Sequence, residues 1–177
     1  MKTTQVLRQR HWTEAELRAS KLHYYKPHKQ LVMARVLEMP TEVKATIEIL
    51  AAGKGDIMIY DPGGPEKKAH IDDYDHWPIN RELFRKTYKP WDEVTWQPTE
   101  AEAHLIAHDC RPFYKFTGVW AMRLTHPVPI QSLESKAPVQ VPPGRWLVIG
   151  AYGEPYHMSD AKFRSRYVMP DNRKAKA

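Results

Sequence analysis

Five short segments occur twice in this chain, in the same order. Thr13-Glu14-Ala15-Glu16 recurs as Thr99-Glu100-Ala101-Glu102, and Tyr24-Tyr25-Lys26 as Phe113-Tyr114-Lys115. Ala34-Arg35-Val36-Leu37 finds Ala121-Met122-Arg123-Leu124, and Gly55-Asp56-Ile57-Met58-Ile59 finds Gly144-Arg145-Trp146-Leu147-Val148. Phe84-Arg85-Lys86-Thr87-Tyr88 finds Phe163-Arg164-Ser165-Arg166-Tyr167. One such match carries little weight. Five in order point to an internal duplication, with units over 12–90 and 96–169. Each unit has about 75 residues, marginal for a fold standing alone, so the two are expected to pack through a pseudo-two-fold interface.

The matched segments have local physical readings. Thr-x-x-Glu is a capping box, in which the Thr hydroxyl and the Glu carboxylate satisfy orphan amides at a helix start. Each unit is therefore expected to open with a helix, over 14–23 and 100–109. Residues 31–37 form a nearly continuous apolar run, which predicts a strand buried on both faces. Residues 42–49 alternate: Val43, Ala45, Ile47 and Ile49 on one side, charged and hydroxyl residues on the other, as in a half-exposed strand. Gly53-Lys54-Gly55 and Pro142-Pro143-Gly144 make turns before the strands at 57–60 and 146–149. Asn80 and Ser159 are N-caps four residues ahead of Phe84 and Phe163, which should pack inward. Fifteen Pro and eight Gly in 177 residues break long helices and favour short strands. The expected class is α+β: two related antiparallel β-sheet units, each preceded by a short helix, with barrel-like closure as one option.

The second unit also carries Pro143-Gly144-Arg145-Trp146-Leu147-Val148, then Gly153-Glu154-Pro155-Tyr156, then Phe163 and Tyr167. This pattern resembles the PGDYG-type domain of bacterial and phage proteins, a Pro-Gly-Asp turn followed by an apolar strand, a Gly-Glu-x-Tyr hairpin and a Phe-x-x-x-Tyr ending. Arg145 stands where the pattern has Asp, although Asp56 holds the matching position in the first unit. The first unit lacks the hairpin. The resemblance implies a small β-rich, phage- or mobile-element-associated protein and brings no catalytic residues.

The formal charge is +6, yet three of these charges fall in residues 1–11 and two in 171–177. The body is close to neutral and shows no basic stripe, so nucleic-acid binding through the ends is the weaker expectation. The segments 1–11 and 170–177 read as flexible basic ends. A single Cys excludes an intramolecular disulfide framework. No apolar run reaches the roughly 18 residues of a membrane helix, and the first residues do not read as a secretory signal. A cytoplasmic protein without membrane contact is expected.

Three sets of residues carry candidate chemistry. His70-Ile71-Asp72-Asp73-Tyr74-Asp75-His76 gathers five potential metal ligands, or forms a solvated acidic loop or a charged edge strand. His104 and His108 share a helix face at i, i+4 and could hold zinc with Cys110 as third ligand, or be two exposed histidines at a helix end. Cys110 could be a nucleophile, its pKa lowered by Arg111, or a small packing residue. No Walker loop, Gly-x-Gly-x-x-Gly or Gly-x-Ser-x-Gly motif occurs, and no cofactor is expected.

The recurring Tyr25-Lys26, Tyr114-Lys115, Arg35 and Arg123 are different in kind. An Arg in an apolar strand needs a partner, either a carboxylate such as Glu48 or Glu134, or a bound anion. These six residues are the expected ligand-binding positions, at a groove between the units. The sequence thus favours a non-enzymatic binding or adaptor protein, taking a protein partner or a small anionic ligand. The alternatives are a metal- or Cys-dependent hydrolase and a nucleic-acid binder.

Overall fold

The computed structural model describes residues 5–170. In chain order the elements are α1 (Glu14–Ala19), β1 (His23–Tyr25), β2 (Val32–Val36), β3 (Thr41–Lys44), β4 (Ile49–Ala52), β5 (Ile57–Asp61), β6 (Asp75–Ile79), α2 (Arg81–Thr87) and β7 (Tyr88–Pro90). They continue with α3 (Glu100–Ala107), β8 (Arg111–Lys115), β9 (Val119–Arg123), β10 (Val128–Ile130), β11 (Val139–Val141), β12 (Trp146–Ile149), β13 (Pro155–Met158) and α4 (Asp160–Arg166). This is a β-rich α+β fold. None of its helices is long and apolar enough to cross a membrane.

The helix starts follow the chemistry of their caps. Thr13 and Thr99 each accept from the N3 amide while Glu16 and Glu102 reach back, completing both capping boxes. Asn80 accepts from the Glu82 and Leu83 amides, and Ser159 from that of Lys162. The helix ends are equally regular. At Lys21 and Asp109 the backbone turns left-handed, with φ of 66° and 67°. Leu22 and Cys110 then donate to the carbonyls of Leu17 and Leu105, which closes each helix in a Schellman-type turn.

The described chain divides into two compact units. Unit 1 takes the residues up to His28, Thr117–Leu133 and those from Pro138 on; unit 2 takes Lys29–Phe116 and Glu134–Ala137. These are not the contiguous stretches 12–90 and 96–169. The segment holding α1 and β1 belongs with strands from the second half of the chain, and that holding α3 and β8 with strands from the first. A repeated string leaves open which copy a helix–strand segment will pair with; backbone hydrogen bonds to residues far along the chain decide that.

Unit 1 holds an antiparallel sheet in the order β1-β9-β12-β13. Unit 2 holds an antiparallel sheet in the order β6-β5-β2-β8-β7. Their registers coincide. In unit 2, Ala34 pairs with Ile59, Ile59 with Trp77, and Val32 with Phe113. In unit 1, Ala121 pairs with Val148, Val148 with Tyr156, and Val119 with Tyr25. The turns agree as well: Gly55 and Gly144 have φ of 91° and 93°, where an L side chain would be strained. Their amides donate to Leu37 and Leu124.

One face of each sheet packs on a helix through aromatic rings. In unit 1, Phe163 of α4 is fully buried; it stacks on Trp146 at 3.9 Å and 7° and on Tyr167 at 4.9 Å, and meets Tyr25 edge-on at 5.1 Å. In unit 2, Phe84 of α2 stacks on Tyr88 at 5.0 Å and meets Phe113 edge-on at 4.9 Å. Val32, Ala34, Ile57 and Ile59 complete that core, where unit 1 has Val119, Ala121, Trp146 and Val148.

Three expectations are corrected. The described strands form open sheets of five, four, two and two strands, so barrel-like closure is not found among them. The alternating run 42–49 is not one strand. The Ala45 amide donates to the Glu48 carbonyl at 2.8 Å and folds the run into the β3–β4 hairpin. Nor is 1–11 a free end along its described part. Leu7 bridges Ile130 in parallel, and the Arg10 amide donates to Gly153. Residues 1–4 and 171–177, with Lys2 and the C-terminal basic cluster, lie outside the described residues.

Candidate functional site

The site builds up on the face of the unit 2 sheet that packs against α3. Met33, Leu37, Met58, Tyr60 and Tyr74 meet Ala101, Leu105 and Cys110 there in an apolar core. Polar groups interrupt it. Arg35 of β2 is half-buried, its Nε lies out of solvent with no hydrogen-bond partner, and its guanidinium lies 5.6 Å from the Tyr60 ring centre. Tyr60, 1% exposed, stacks on His76 of β6 at 5.5 Å and 24°. Burial pushes the Tyr60 hydroxyl above the ordinary phenol range, against the pull of Arg35. Among the described residues no carboxylate forms an ion pair with Arg35. The expected internal bridge to Glu48 or Glu134 is therefore replaced by an aromatic face.

Tyr74 ties this row to α3. Its carbonyl accepts from His76 Nδ1 at 2.8 Å, and its hydroxyl accepts from the Lys68 amide at 3.0 Å and lies 2.9 Å from His104 Nδ1. A buried hydroxyl must also place its own proton, and His104 Nδ1 is the acceptor in reach. The hydrogen-bond network thus assigns the His104 proton to Nε2. Desolvation holds His104 below the ordinary imidazole pKa, with Lys67, His108 and His70 as cationic neighbours adding to it. With that assignment the ring, when neutral, carries its proton on Nε2. His108 turns its Nδ1 to the His104 carbonyl at 3.0 Å.

These contacts bear on three expectations. Tyr74 meets His104 at Nδ1, and the His104–His108 pair finds no third ligand among the described residues. Among the described residues, no group of three or more His, Cys, Asp or Glu comes together to hold a metal. In the 70–76 segment, Asp73 instead caps the His70 amide at 3.0 Å and His76 is spent on Tyr74. Cys110 is 2% exposed, and burial pushes its thiol up to about 11, opposite to the lowering expected from Arg111. Arg35 pulls the other way but does not prevail over desolvation.

The six expected ligand positions do not form one constellation. Tyr25 is buried against Trp146 and Phe163, and burial raises its hydroxyl pKa. Lys26 is exposed. The register pairs Tyr25 with Val119 and Phe113 with Val32, so the counterpart of Tyr25 is Phe113, one residue short of Tyr114. Tyr114 meets Trp91 edge-on at 6.1 Å, and Lys115 pairs with Tyr88. Arg35 pairs with Met58 whereas Arg123 pairs with Trp146. The two arginines therefore occupy adjacent, not equivalent, register positions and project from opposite faces. Arg123 donates to the Gly144 carbonyl and lies 3.9 Å from Asp160. Of the six, only Arg35 joins the row described here. Tyr60 was not legible as a site residue, since it ends the apolar run 57–60; Tyr74 lay within the 70–76 segment but is not a metal-ligand type sought there.

Comparison with protein families, with curated proteins and with solved structures found no match to this chain.

Proposed function

We propose that the protein is a non-enzymatic binder of an anionic group, on a small molecule or on an acidic side chain of a partner, and that unit 2 carries the site. The reading treats the two units as copies of one ancestral segment, a duplication supported by their common register. One observation carries it. Where unit 1 has Met122, Ile149 and Pro155, unit 2 has Arg35, Tyr60 and His76 at the same register positions. Unit 1 demonstrates that this place in the sheet is served by apolar residues. A half-buried guanidinium there costs desolvation that packing does not require. An anion at Arg35 supplies the missing counter-charge.

A thiol held protonated by burial at Cys110 supports binding rather than turnover. All the residues in the reading belong to unit 2, so it does not draw on a groove between the units.

Thermal unfolding in sodium phosphate, against sodium chloride of equal ionic strength, tests it. A ligand that binds only the folded state raises the transition as its concentration passes Kd. The rise is expected in the wild type and absent in Arg35→Met, a substitution to the residue type found at Met122. An equal rise in both, or none in the wild type, refutes the proposal.

A further inference from the structure

A second cluster in unit 2 lies apart from this row in chemistry and residues. Trp91 follows β7 and is anchored by its amide to the Pro112 carbonyl at 3.1 Å; Tyr114 projects from β8. Their rings stand 6.1 Å apart at 82°, forming two walls of a corner. Lys29 places its ammonium 5.3 Å from the Trp91 ring centre and 4.9 Å from that of Tyr114. Two carboxylates close the corner. Glu93 reaches the same ammonium at 2.9 Å, and Asp92 makes the second ion pair.

A simple surface clip needs one carboxylate and no rings. Here one ammonium meets two π faces and two carboxylates, and the corner keeps an excess negative charge with Lys29 in place. Faces at right angles surround a compact cation from two sides, the arrangement by which aromatic cages hold alkylated ammonium groups. The two acids supply a charge that suits any cation; they also accept hydrogen bonds from the Lys29 ammonium, which a quaternary ammonium forgoes in exchange for fuller contact with the ring faces. The Lys29 side chain is 41% exposed and those of Asp92 and Glu93 more so, so the corner opens to solvent and its occupant can leave.

We infer that Trp91, Tyr114, Asp92 and Glu93 form a recognition site for a quaternary or methylated ammonium group, and that Lys29 is its built-in competitor. Lys29 fills the corner from within the chain and sets a threshold that an external cation must exceed. A methylated ammonium gains on lysine because its methyl groups spread the charge over the ring faces and are cheaper to desolvate. The inference is independent of the anion reading, since the two share no residue.

Tetramethylammonium chloride is the probe, with sodium chloride at matched ionic strength as control and tryptophan fluorescence or ring-proton NMR shifts as readout. Lys29→Ala is expected to bind it at least tenfold more tightly than the wild type, and Lys29→Ala/Trp91→Ala to lose that binding. Lys29→Gln, which keeps side-chain bulk without the charge, is expected to reproduce the gain and serves if the alanine variant fails to fold. No saturable binding by either Lys29 variant, or equal binding after loss of Trp91, overturns the inference.

Discussion

The common plan of the two units makes Phe163 and Phe84 anchors of the same kind but unequal depth. Phe163→Ala removes a fully buried ring that touches three others, Trp146, Tyr167 and Tyr25. Phe→Ala in a core costs about 3–5 kcal/mol, and each well-placed aromatic pair adds about 0.5–1.5 kcal/mol beyond area. Near-parallel contact with Trp146 puts Phe163→Ala at the upper end, about 4–5 kcal/mol. Phe84 is 9% exposed and has two ring partners, so Phe84→Ala should cost about 1 kcal/mol less. Native-state hydrogen exchange reads both size and place. The first variant should lose protection in β9, β12 and β13, the second in β2, β5 and β6. A cost for Phe163→Ala under about 2 kcal/mol, or a larger cost for Phe84→Ala, would refute the claim that these rings are equivalent anchors.

Three further outcomes are expected. With its thiol pushed up to about 11, Cys110 should resist iodoacetamide at neutral pH, its alkylation rising only in strong alkali; brisk reaction at pH 7 would show it exposed. Because His104 titrates lower folded than unfolded, the unfolded chain takes up the proton first as pH falls, and stability declines below the unfolded histidine pKa of roughly 6.5. Melting curves between pH 7 and 5 should therefore drop more steeply for the wild type than for His104→Gln, and parallel curves would count against the lowered titration of His104. Lys21 holds a left-handed conformation that suits glycine, so Lys21→Gly should raise stability by about 1 kcal/mol in urea unfolding, with a smaller gain at Asp109→Gly.

Local chemistry was legible in the sequence and long-range choice was not. Thr13, Thr99, Asn80 and Ser159 announced their helices because a cap acts within four residues. Phe84 and Phe163 were readable as inward residues for the same reason. String matching paired Tyr25 with Tyr114, and Arg35 was read as the counterpart of Arg123 although its matched string sets it against Met122. A slip of one residue reverses the face of a strand, and both matches were one residue out. The partnership of β1 with β9 depends on backbone bonds between Tyr25 and Val119, which no periodicity records. The β3–β4 hairpin escaped because alternation continues through its bend. Arg35 and His76 were named as candidates, but Tyr60, which joins them, looked like ordinary core, and Tyr74 was passed over between the acids of its segment. Nothing marked Lys29; the run Trp91-Asp92-Glu93 was the one available signal for its corner.

The division of the chain between the units bears on how it can fold during synthesis. The helix α1 and strand β1 leave the ribosome first, but their partner β9 lies at residues 119–123. At roughly 5–20 residues per second, β1 waits on the order of ten seconds with its edge unpaired. Meanwhile β2 through β8 emerge together and can close the unit 2 sheet. The first-made segment is thus among the last to be placed. During that interval its exposed backbone is open to capture by a neighbouring nascent chain, and conditions that crowd ribosomes on one message should favour exchange of this segment between copies.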